Sequence, residues 1–340
     1  MNSRPIVPAG CLVFEDERFQ QHRTGRHVET PQRLAEIRRR LANLDDGNTP
    51  TASARITSNP LHFSAAPETW ETTADEWQAI LAVHPAEYLH RLEQFAIHGG
   101  GNWDADTVVS GESYNVAVLA ARTALQGTDA VLRGRARTAV CLVRPPGHHA
   151  LRDSAMGFCL LNNVAIAARH AIRGHGLQRV LIVDWDVHHG NGTQEIFYED
   201  GQVWYYSVHR SPFYPGTGAR EETGAGRGLG ATRNLPLPAE TSRVDYLRQV
   251  TADLTEFVES CRPDLVLISA GFDAHRLDPI GSLGLETDDF RTLTQLVMQI
   301  AQTHCQGRIV SLLEGGYHLQ ALAESVAIHV RELAGPTPVE

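Results

Sequence analysis

The sequence VLIVDWDVHHGNG, residues 180–192, indicates the fold of this chain most directly. Its first four residues form a continuous apolar run, which is typical of a strand buried on both faces of a sheet. Acidic, imidazole and glycine residues follow immediately. In open α/β sheets, ligands bind beyond the carboxyl ends of the strands. The segment therefore predicts a buried strand that leads directly into a functional site.

Five more short apolar runs are similar: residues 11–14, 139–143, 203–208, 265–269 and 309–313. Segments with helical periodicity separate them, as in residues 293–300, where apolar side chains recur at i, i+3, i+4 and i+7. Strands alternating with helices predict an α/β fold with a central, mostly parallel β-sheet and helices on both faces. We expect a single domain over residues 1–340.

Several helix boundaries can be predicted from local chemistry. Thr30 followed by Pro31 is expected to open an early helix, and Thr287 is expected to cap a later one. Gly174 and Gly307 are expected to end helices.

Composition excludes several classes of protein. The chain has 30 basic and 40 acidic residues, and its net charge of −10 disfavours binding to a nucleic-acid backbone. Every basic residue is Arg, so no catalytic or phosphate-binding lysine exists. The five cysteines lack CxxC spacing, and we find neither a signal peptide nor an apolar run long enough for a membrane span. We therefore expect a cytoplasmic protein without direct nucleic-acid or membrane partners.

The polar residues after the strand at 180–183 have the spacing of metal ligands. Alternate side chains of an extended segment point to the same side, so Asp184, Asp186 and His188 are expected to face one site. Asp273, which follows the run at 265–269, is the best candidate for a ligand from another strand. Carboxylates with an imidazole suit Zn²⁺ and also accept Fe²⁺ or Co²⁺. For each residue taken alone, a structural hydrogen bond is the alternative.

Two further strand exits carry reactive groups. His148 and His149 follow the rigid sequence Arg-Pro-Pro-Gly, as expected for imidazoles that transfer protons at a fixed place. Tyr317 follows Glu-Gly-Gly, where the glycines allow a tight backbone that presents the phenol. An inert packing role is the alternative for these three residues.

Six segments occur in the order and spacing of the zinc-dependent histone deacetylase superfamily: residues 144–149, 157–159, 184–192, 215–218, 270–273 and 314–317. The chain resembles in particular its class II branch and the bacterial histone deacetylase-like amidohydrolases. The resemblance extends from His27 over nearly the whole chain. It implies an arginase/deacetylase-like α/β fold with the active site at the carboxyl ends of the strands.

The resemblance also implies roles for the site residues. The zinc ligands would be Asp186, His188 and Asp273. The catalytic residues would be His148 and His149 as general acid and base, Tyr317 as donor to the acyl oxygen, Asp184 behind His148 and Asn191 behind His149. Because an amide stabilises an imidazolium less than a carboxylate does, His149 is expected to have the lower pKa and to accept the proton of water.

Other positions are implied to contact the substrate. Gly157, Phe158 and Tyr214 would line a narrow channel for the acyl-lysine side chain. Ile280 aligns with a rim position that is acidic in polyamine-selective relatives, so an apolar residue there disfavours a cationic acetylpolyamine. Asp106 is a candidate rim carboxylate, with a solvated loop acid as the alternative.

The family also binds monovalent cations, usually K⁺. The matching positions of a first site are Asp184, Asp186, His188, Ser207 and Val208, and those of a second site are Phe197, Asp200 and Val203. Several of these residues would contribute backbone carbonyl groups.

The expected activity is hydrolysis of N-acetyl-lysine or a related acyl amide to the free amine and acetate. Acyl-lysine peptides or proteins and small acylated amines are the expected substrates, and a second copy of the chain is a candidate partner. The alternatives are an acetylpolyamine amidohydrolase, a ureohydrolase of the same fold, and a non-catalytic acyl-lysine binding module. A ureohydrolase needs a second set of metal ligands, whereas the exit after Ser269 offers only Asp273. A binding module would be expected to lack Tyr317 or a ligand.

Overall fold

The computed structural model describes residues 9–43, 61–65 and 67–335. The domain predicted over residues 1–340 includes positions that lie outside these ranges. The described strands are β1 (Ala9–Glu15), β2 (Leu61–Ala65), β3 (Gly101–Asn102), β4 (Val108–Val109), β5 (Ala136–Cys141), β6 (Val180–Asp184), β7 (Val203–Arg210), β8 (Thr232–Leu237), β9 (Leu265–Ala270) and β10 (Ile309–Leu313). The described α-helices are α1 (Gln32–Ala42), α2 (Ala74–Leu81), α3 (Ala86–Ile97), α4 (Ser113–Leu132), α5 (Asn163–His175), α6 (Asn191–Phe197), α7 (Arg243–Cys261), α8 (Thr287–Cys305) and α9 (Leu319–Ala334).

Eight of the described strands form one sheet in the order β2-β1-β5-β10-β9-β6-β7-β8. Every neighbouring pair is parallel. Helices α4 and α5 pack together on one face, and α1, α8 and α9 pack together on the other. The predicted α/β fold, with a parallel sheet between two layers of helices, is therefore confirmed.

The central strands are buried along their whole length. Every residue of β6, β9 and β10 is buried, which explains why these strands are continuous apolar runs in the sequence. Strands β5, β10, β9, β6 and β7 are consecutive in the sheet. Their carboxyl ends therefore lie side by side at one end of the sheet, where the loops that follow them can form a common site.

All six predicted strands are present, with small differences at their ends. The run at 139–143 corresponds to β5, which ends at Cys141. The prediction omitted β2 and β8, which lie at the two edges of the sheet, and the short strands β3 and β4, which pair with each other. Strand β8 contains Pro236, a residue that edge strands tolerate because one side of the backbone needs no partner.

Helix boundaries agree with the predictions less closely. Helix α1 begins one residue after Pro31, and α8 begins at Thr287 with Glu286 as the N-cap. The prediction that Gly174 ends a helix is wrong, since α5 continues to His175 and is capped by Gly176, which adopts a φ of +72°. Gly307, which is also expected to end a helix, follows Gln306, the C-cap of α8.

The five cysteines are buried and unpaired. None of the helices in the described part of the chain has the length and apolar character that a bilayer span requires.

Candidate active site

Asp186, His188 and Asp273 converge at the carboxyl ends of β6 and β9. One potential ligand atom from each residue lies within 4.8 Å of the other two. His188 Nδ1 lies 2.9 Å from Asp186 Oδ1 and 3.1 Å from Asp273 Oδ2. All three residues are buried. The structure thus brings together the three residues predicted as metal ligands.

Two features of these carboxylates fit a divalent cation. Asp273 Oδ2 is buried and makes no hydrogen bond of acceptable geometry, so its lone pairs are available to a ligand. Burial and the neighbouring Asp186 carboxylate raise the pKa of Asp273, which reflects an excess of negative charge. A divalent ion would satisfy the oxygen and balance this charge.

Backbone N–H groups fix the positions of both carboxylates. Asp273 Oδ1 accepts a hydrogen bond of 2.9 Å from Val187, and Asp186 Oδ2 accepts one of 2.8 Å from Gly315. A Cβ atom at Gly315 would lie 2.2 Å from Asp273 Oδ2 and 2.6 Å from Asp186 Oδ2, so only glycine permits this approach. The loops after β6, β9 and β10 are therefore tied together around the candidate metal ligands.

His148 lies in the loop after β5 and contacts two carboxylates. Its Nδ1 is 3.0 Å from Asp184 Oδ2, and its Nε2 is 3.8 Å from Asp186 Oδ1. Burial disfavours the protonated ring, but the two carboxylates outweigh burial and raise the pKa of His148 to about 10. The two carboxylates therefore favour the protonated form of the His148 ring.

His149, whose ring centroid is 4.0 Å from that of His148, has an uncharged partner. Its Nδ1 lies 2.7 Å from Asn191 Oδ1, and because an amide oxygen can only accept, Nδ1 carries the proton. Burial, helped by the imidazoles of His148 and His188, lowers the pKa of His149 well below its usual value. The pKa values of the two histidines differ in the expected direction, although burial is the largest cause for His149.

Glu314 holds the loop that carries the histidines. It is fully buried, and its Oε2 accepts hydrogen bonds of 2.7 Å from the Gly147 N–H and 3.1 Å from the His148 N–H. Its Oε1 accepts a 3.1 Å hydrogen bond from the Ser269 hydroxyl. The sequence motif contains Glu314, but the contact with His148 cannot be inferred from the motif alone.

Tyr205 is a second supporting residue that the sequence analysis missed. Its hydroxyl donates to Asp184 Oδ2 over 3.0 Å, so Asp184 is shared between this phenol and His148. Tyr205 lies within the apolar strand β7, where nothing in the local sequence distinguishes it from a core aromatic residue.

Tyr317 follows β10 and lies beside Phe158, with the two rings edge to face and 5.8 Å between centroids. The Arg33 guanidinium lies 5.0 Å from the centroid of the Tyr317 ring. The Tyr317 N–H donates a 2.7 Å hydrogen bond to Asp278. Burial raises the pKa of Tyr317, so the hydroxyl keeps its proton.

Gly157 and Tyr214 approach the same site from other loops. Gly157 has a φ of +56°, and a Cβ atom there would lie 2.5 Å from the His149 ring, so conformation and space both require glycine. The centroid of the Tyr214 ring lies 5.2 Å from that of His149 and 6.1 Å from that of His188. Tyr214 is 38% exposed, which places it where the site opens to solvent.

Phe213 is an aromatic contact that the sequence analysis did not single out. Its ring stacks on His188 with 5.1 Å between centroids and an interplanar angle of 16°. The Arg210 guanidinium lies 4.3 Å from the centroid of the Phe213 ring. Its place next to Tyr214, in the loop after β7, is the signal that could have indicated this role.

Ile280 lies in the loop after β9 and is half-buried. Its N–H donates a 3.0 Å hydrogen bond to Asp278 Oδ1, while Asp278 Oδ2 accepts the N–H of Tyr317. One carboxylate therefore connects the segment of Ile280 to that of Tyr317.

Asp106 borders the Phe158 side of the site. Its carbonyl oxygen lies 3.1 Å from His27 Nε2, and the His27 ring packs edge to face against Phe158 with 4.5 Å between centroids. Burial and the nearby Asp104 raise the pKa of Asp106. Whether its carboxylate contacts a substrate stays a prediction.

The residues predicted for the first monovalent cation lie around the ends of two adjacent strands. Asp184 on β6 is in register with Ser207 on β7, and Val208 follows Ser207. Asp186 and His188 belong to the metal-ligand group described above. The first cation site stays a prediction.

The residues predicted for the second cation lie between α6 and β7. Phe197 ends α6 and Val203 begins β7. The Asp200 carboxylate forms an ion pair with Arg169, so its negative charge is already partly balanced. The second cation site also stays a prediction.

A buried ion-pair network lies behind the site. Arg144 Nη2 is 2.6 Å from Glu29 Oε2, and Arg33 Nη1 is 3.1 Å from Glu29 Oε1, with all three side chains fully buried. Arg33 Nε also donates a 2.7 Å hydrogen bond to the Gly316 carbonyl oxygen. The network connects the segment before α1 to the loops after β5 and β10, a connection between residues far apart in the sequence.

This fold and site agree with comparisons to known proteins. Residues 27–333 match the histone deacetylase domain. A histone deacetylase-like amidohydrolase from Pseudomonas aeruginosa is 39% identical over 292 residues, which cover 86% of this chain and 72% of that protein. Polyamine deacetylase HDAC10 from Homo sapiens is 37% identical over 342 residues, which cover 98% of this chain and 47% of that protein. The crystal structure of the HDA15 HD domain gives a TM-score of 0.84 at 35% identity, covering 97% of this chain and 90% of that one.

The fold and its relatives define the class as a hydrolase that acts on amides. The chain belongs to the histone deacetylase family. Because its relatives are named as deacetylases and amidohydrolases, the alternative of a non-catalytic binding module is not supported.

Proposed function

We propose that this chain hydrolyses N-acetyl-lysine, or a related acyl amide, to the free amine and acetate. The observation that supports this most strongly is the convergence of Asp186, His188 and Asp273 at the same end of the strands as the tandem histidines and the half-buried phenol of Tyr317. The catalytic unit in this proposal is one domain.

Asp186, His188 and Asp273 would hold a divalent metal ion, with Zn²⁺ as the proposed ion and Fe²⁺ or Co²⁺ as alternatives. When bound, such an ion lowers the pKa of water to about 7 and polarises a carbonyl oxygen as a Lewis acid. A structural K⁺ beside β6 and β7 is part of the same proposal.

The two histidines divide the proton transfers. His149 is neutral and protonated at Nδ1, so its Nε2 accepts the proton of the attacking water. His148 is protonated and held by Asp184, so it donates a proton to the leaving amine. Asn191 keeps His149 in the tautomer that accepts at Nε2.

Tyr317 stabilises the charge that develops on the acyl oxygen. Its hydroxyl keeps its proton and donates a hydrogen bond as negative charge accumulates there. Phe158, Tyr214 and Gly157 form the walls through which the aliphatic part of the substrate reaches these groups.

The proposal is tested by turnover of an acetyl-lysine peptide with the Zn²⁺-loaded protein, with Tyr317→Phe as the diagnostic variant. Loss of one oxyanion donor costs roughly 10²–10³-fold in kcat. We expect that loss for Tyr317→Phe with an unchanged metal content. Tyr114→Phe, which removes a phenol on α4, is the matched control. No turnover of any acyl-lysine peptide by the metal-loaded protein would refute the proposed substrate class.

An acetylpolyamine is the second candidate substrate. The human relative is named a polyamine deacetylase and matches 98% of this chain. Against it stands Ile280, an uncharged residue at the position that the family resemblance aligns with an acidic rim residue of polyamine-selective enzymes. Parallel assays of acetylpolyamines and the acetyl-lysine peptide distinguish the two candidates.

A further inference from the structure

A second group of metal-binding side chains lies outside the active site. It consists of Asp129 in the last turn of α4 and of His170 and His175 in α5. His170 Nε2 and His175 Nε2 each lie 2.7 Å from the same oxygen atom, Asp129 Oδ1. The potential ligand atoms all lie within 4.8 Å of one another, so one ion can reach all three residues.

This group lies near the amino ends of the strands, at the opposite end of the sheet from the active site. His175 is the last residue of α5, which leads into the amino end of β6, and Asp129 lies shortly before the amino end of β5. Asp186 and His188, in contrast, follow the carboxyl end of β6. The two sites therefore share no residue and no loop.

The surroundings of the group favour a cation. Helices α4 and α5 both end here, and the C-terminal end of a helix carries partial negative charge. Burial acts against ionisation of Asp129, but hydrogen bonds from His170 and His175 outweigh it and hold the pKa of Asp129 at about 2. The exposed guanidinium of Arg133 lies 3.1 Å from Asp129 Oδ2 and partly balances the carboxylate's charge, while Oδ1 faces the two histidines.

The geometry also leaves room for water and for the His170 ring. The side chains of Asp129, His170 and His175 are 24%, 19% and 16% exposed, so water can complete a coordination shell. Gly174 lies inside α5, where glycine is less favourable than alanine. A Cβ atom there would lie 3.1 Å from His170 Nδ1 and Cε1, so glycine gives this ring its space.

We propose that Asp129, His170 and His175 form a second site for a divalent transition metal, which clamps the C-terminal ends of α4 and α5. Two imidazole nitrogens, one carboxylate oxygen and a water make the four-coordinate shell that Zn²⁺ accepts. An Nε2 atom that binds a metal carries no proton. In a neutral ring the proton then lies on Nδ1, whereas a ring protonated on both nitrogens releases its Nε2 proton when the metal binds. A hydrogen-bonded trio that binds no metal is the alternative.

Zn²⁺ stoichiometry after equilibrium dialysis, measured by elemental analysis, tests this proposal. We expect two equivalents in the wild type, one in His175→Ala, one in the active-site variant His188→Ala, and none in the double variant. His90→Ala removes an exposed histidine on α3 and is the matched control, with two equivalents expected. Circular dichroism checks that each variant is folded.

A second variant and a second readout separate ligand loss from damage to a helix end. Asp129→Asn keeps the shape of the side chain and should also lose one equivalent. Co²⁺ bound to His188→Ala should give a visible absorption spectrum that Asp129→Asn abolishes in the same background. A wild type with one equivalent that His188→Ala removes would overturn the second site. So would two equivalents that His175→Ala and Asp129→Asn leave unchanged. Loss of metal in His188→Ala reports on the active site separately.

Discussion

The carboxylate of Glu314 holds the backbone of His148: Glu314 Oε2 lies 3.1 Å from the His148 N–H and 2.7 Å from the adjacent Gly147 N–H. Because Glu314 belongs to the loop that also carries Tyr317, two groups of the proposed chemistry share one buried anchor. The third hydrogen bond of Glu314, from Ser269, fixes the carboxylate against β9. The relative position of the two loops therefore depends on a side chain that does not itself face the substrate.

Replacing Glu314 should lower kcat through the position of His148. Glu314→Ala leaves the Gly147 and His148 N–H groups without a partner, and a displacement of about 1 Å at a reacting group can cost roughly 10²-fold in rate. We expect a loss of about that size with unchanged metal content. Steady-state kinetics and metal analysis of the same sample are the measurements.

Glu314→Gln is the control for shape without charge. Its amide oxygen can accept both N–H groups, and its amino group can donate to the Ser269 hydroxyl. It should therefore recover most of the activity that Glu314→Ala loses. A Glu314→Gln variant as slow as Glu314→Ala would show that the charge, rather than the position of the loop, is what matters.

Asn191→Asp should move the acidic limb of the pH–rate profile to higher pH. A carboxylate beside His149 Nδ1 favours the protonated ring and raises the pKa of His149 from its lowered value. The proposed proton acceptor must be neutral, so a smaller fraction of the enzyme is active at low pH. We expect kcat/KM to fall at acidic pH and to recover as pH rises, a shift of about one pH unit or more.

Asp184→Asn is the opposite change and serves as its counterpart. It removes a carboxylate that raises the pKa of His148, so the proposed acid should lose its proton at lower pH. The alkaline limb of the Asp184→Asn pH–rate profile should therefore move to lower pH, whereas the acidic limb of the Asn191→Asp profile moves to higher pH. If both variants shift the same limb, the assignment of acid and base is wrong.

The fold was predictable to the extent that its strands are buried on both faces. Strands β6, β9 and β10 have no exposed residue, so each is a continuous apolar run that the sequence displays directly. The edge strand β8 has two half-buried positions, Arg233 and Pro236, and neither residue marks it as part of a parallel sheet. Edge strands have fewer neighbours, so their sequences are less constrained.

Site residues were predictable where they follow such a strand in one short motif. Asp186 and His188 lie within a few residues of β6, and the sequence alone indicates their chemistry. Glu29 and Arg144 form a buried ion pair across 115 positions of the chain, and no local pattern connects them. Long-range partners of this kind depend on the packing of elements, which the linear sequence does not display.

Ile280→Glu should shift substrate preference towards cationic acetylpolyamines. Ile280 is in the loop that Asp278 connects to Tyr317, so a carboxylate there adds negative charge near the proposed substrate entrance. Attraction to a polyamine ammonium group should raise kcat/KM for acetylpolyamines relative to an acetyl-lysine peptide by about tenfold, which corresponds to about 1.4 kcal/mol. The measurement is the ratio of the two kcat/KM values.

Ile280→Gln is the matched polar variant without charge, and its ratio should stay close to that of the wild type. Because screening by salt weakens interactions between exposed charges, the effect of Ile280→Glu should shrink as ionic strength rises. A preference for polyamines in the wild type itself would mean that another group already binds the ammonium.

His329→Gln should make the stability of the protein less sensitive to acid. His329 on α9 is buried between the Thr294 and Ser311 hydroxyls, with its Nδ1 2.8 Å from Thr294 Oγ1 and its Nε2 2.9 Å from Ser311 Oγ. Burial lowers the pKa of His329 to about 3. In the unfolded chain a histidine has a pKa of about 6.5, so between about pH 6.5 and pH 3 the unfolded state binds a proton that the folded state does not. The free energy of unfolding therefore falls as pH drops through this window, and by pH 5 the contribution of His329 is about 2 kcal/mol.

Urea unfolding at pH 7.5 and pH 5 should show that the wild type loses about this much more stability than His329→Gln. His90→Gln removes an exposed histidine instead and should keep the dependence of the wild type. Because the other buried histidines are present in all three proteins, an equal loss in His329→Gln and the wild type would show that His329 accepts a proton without unfolding.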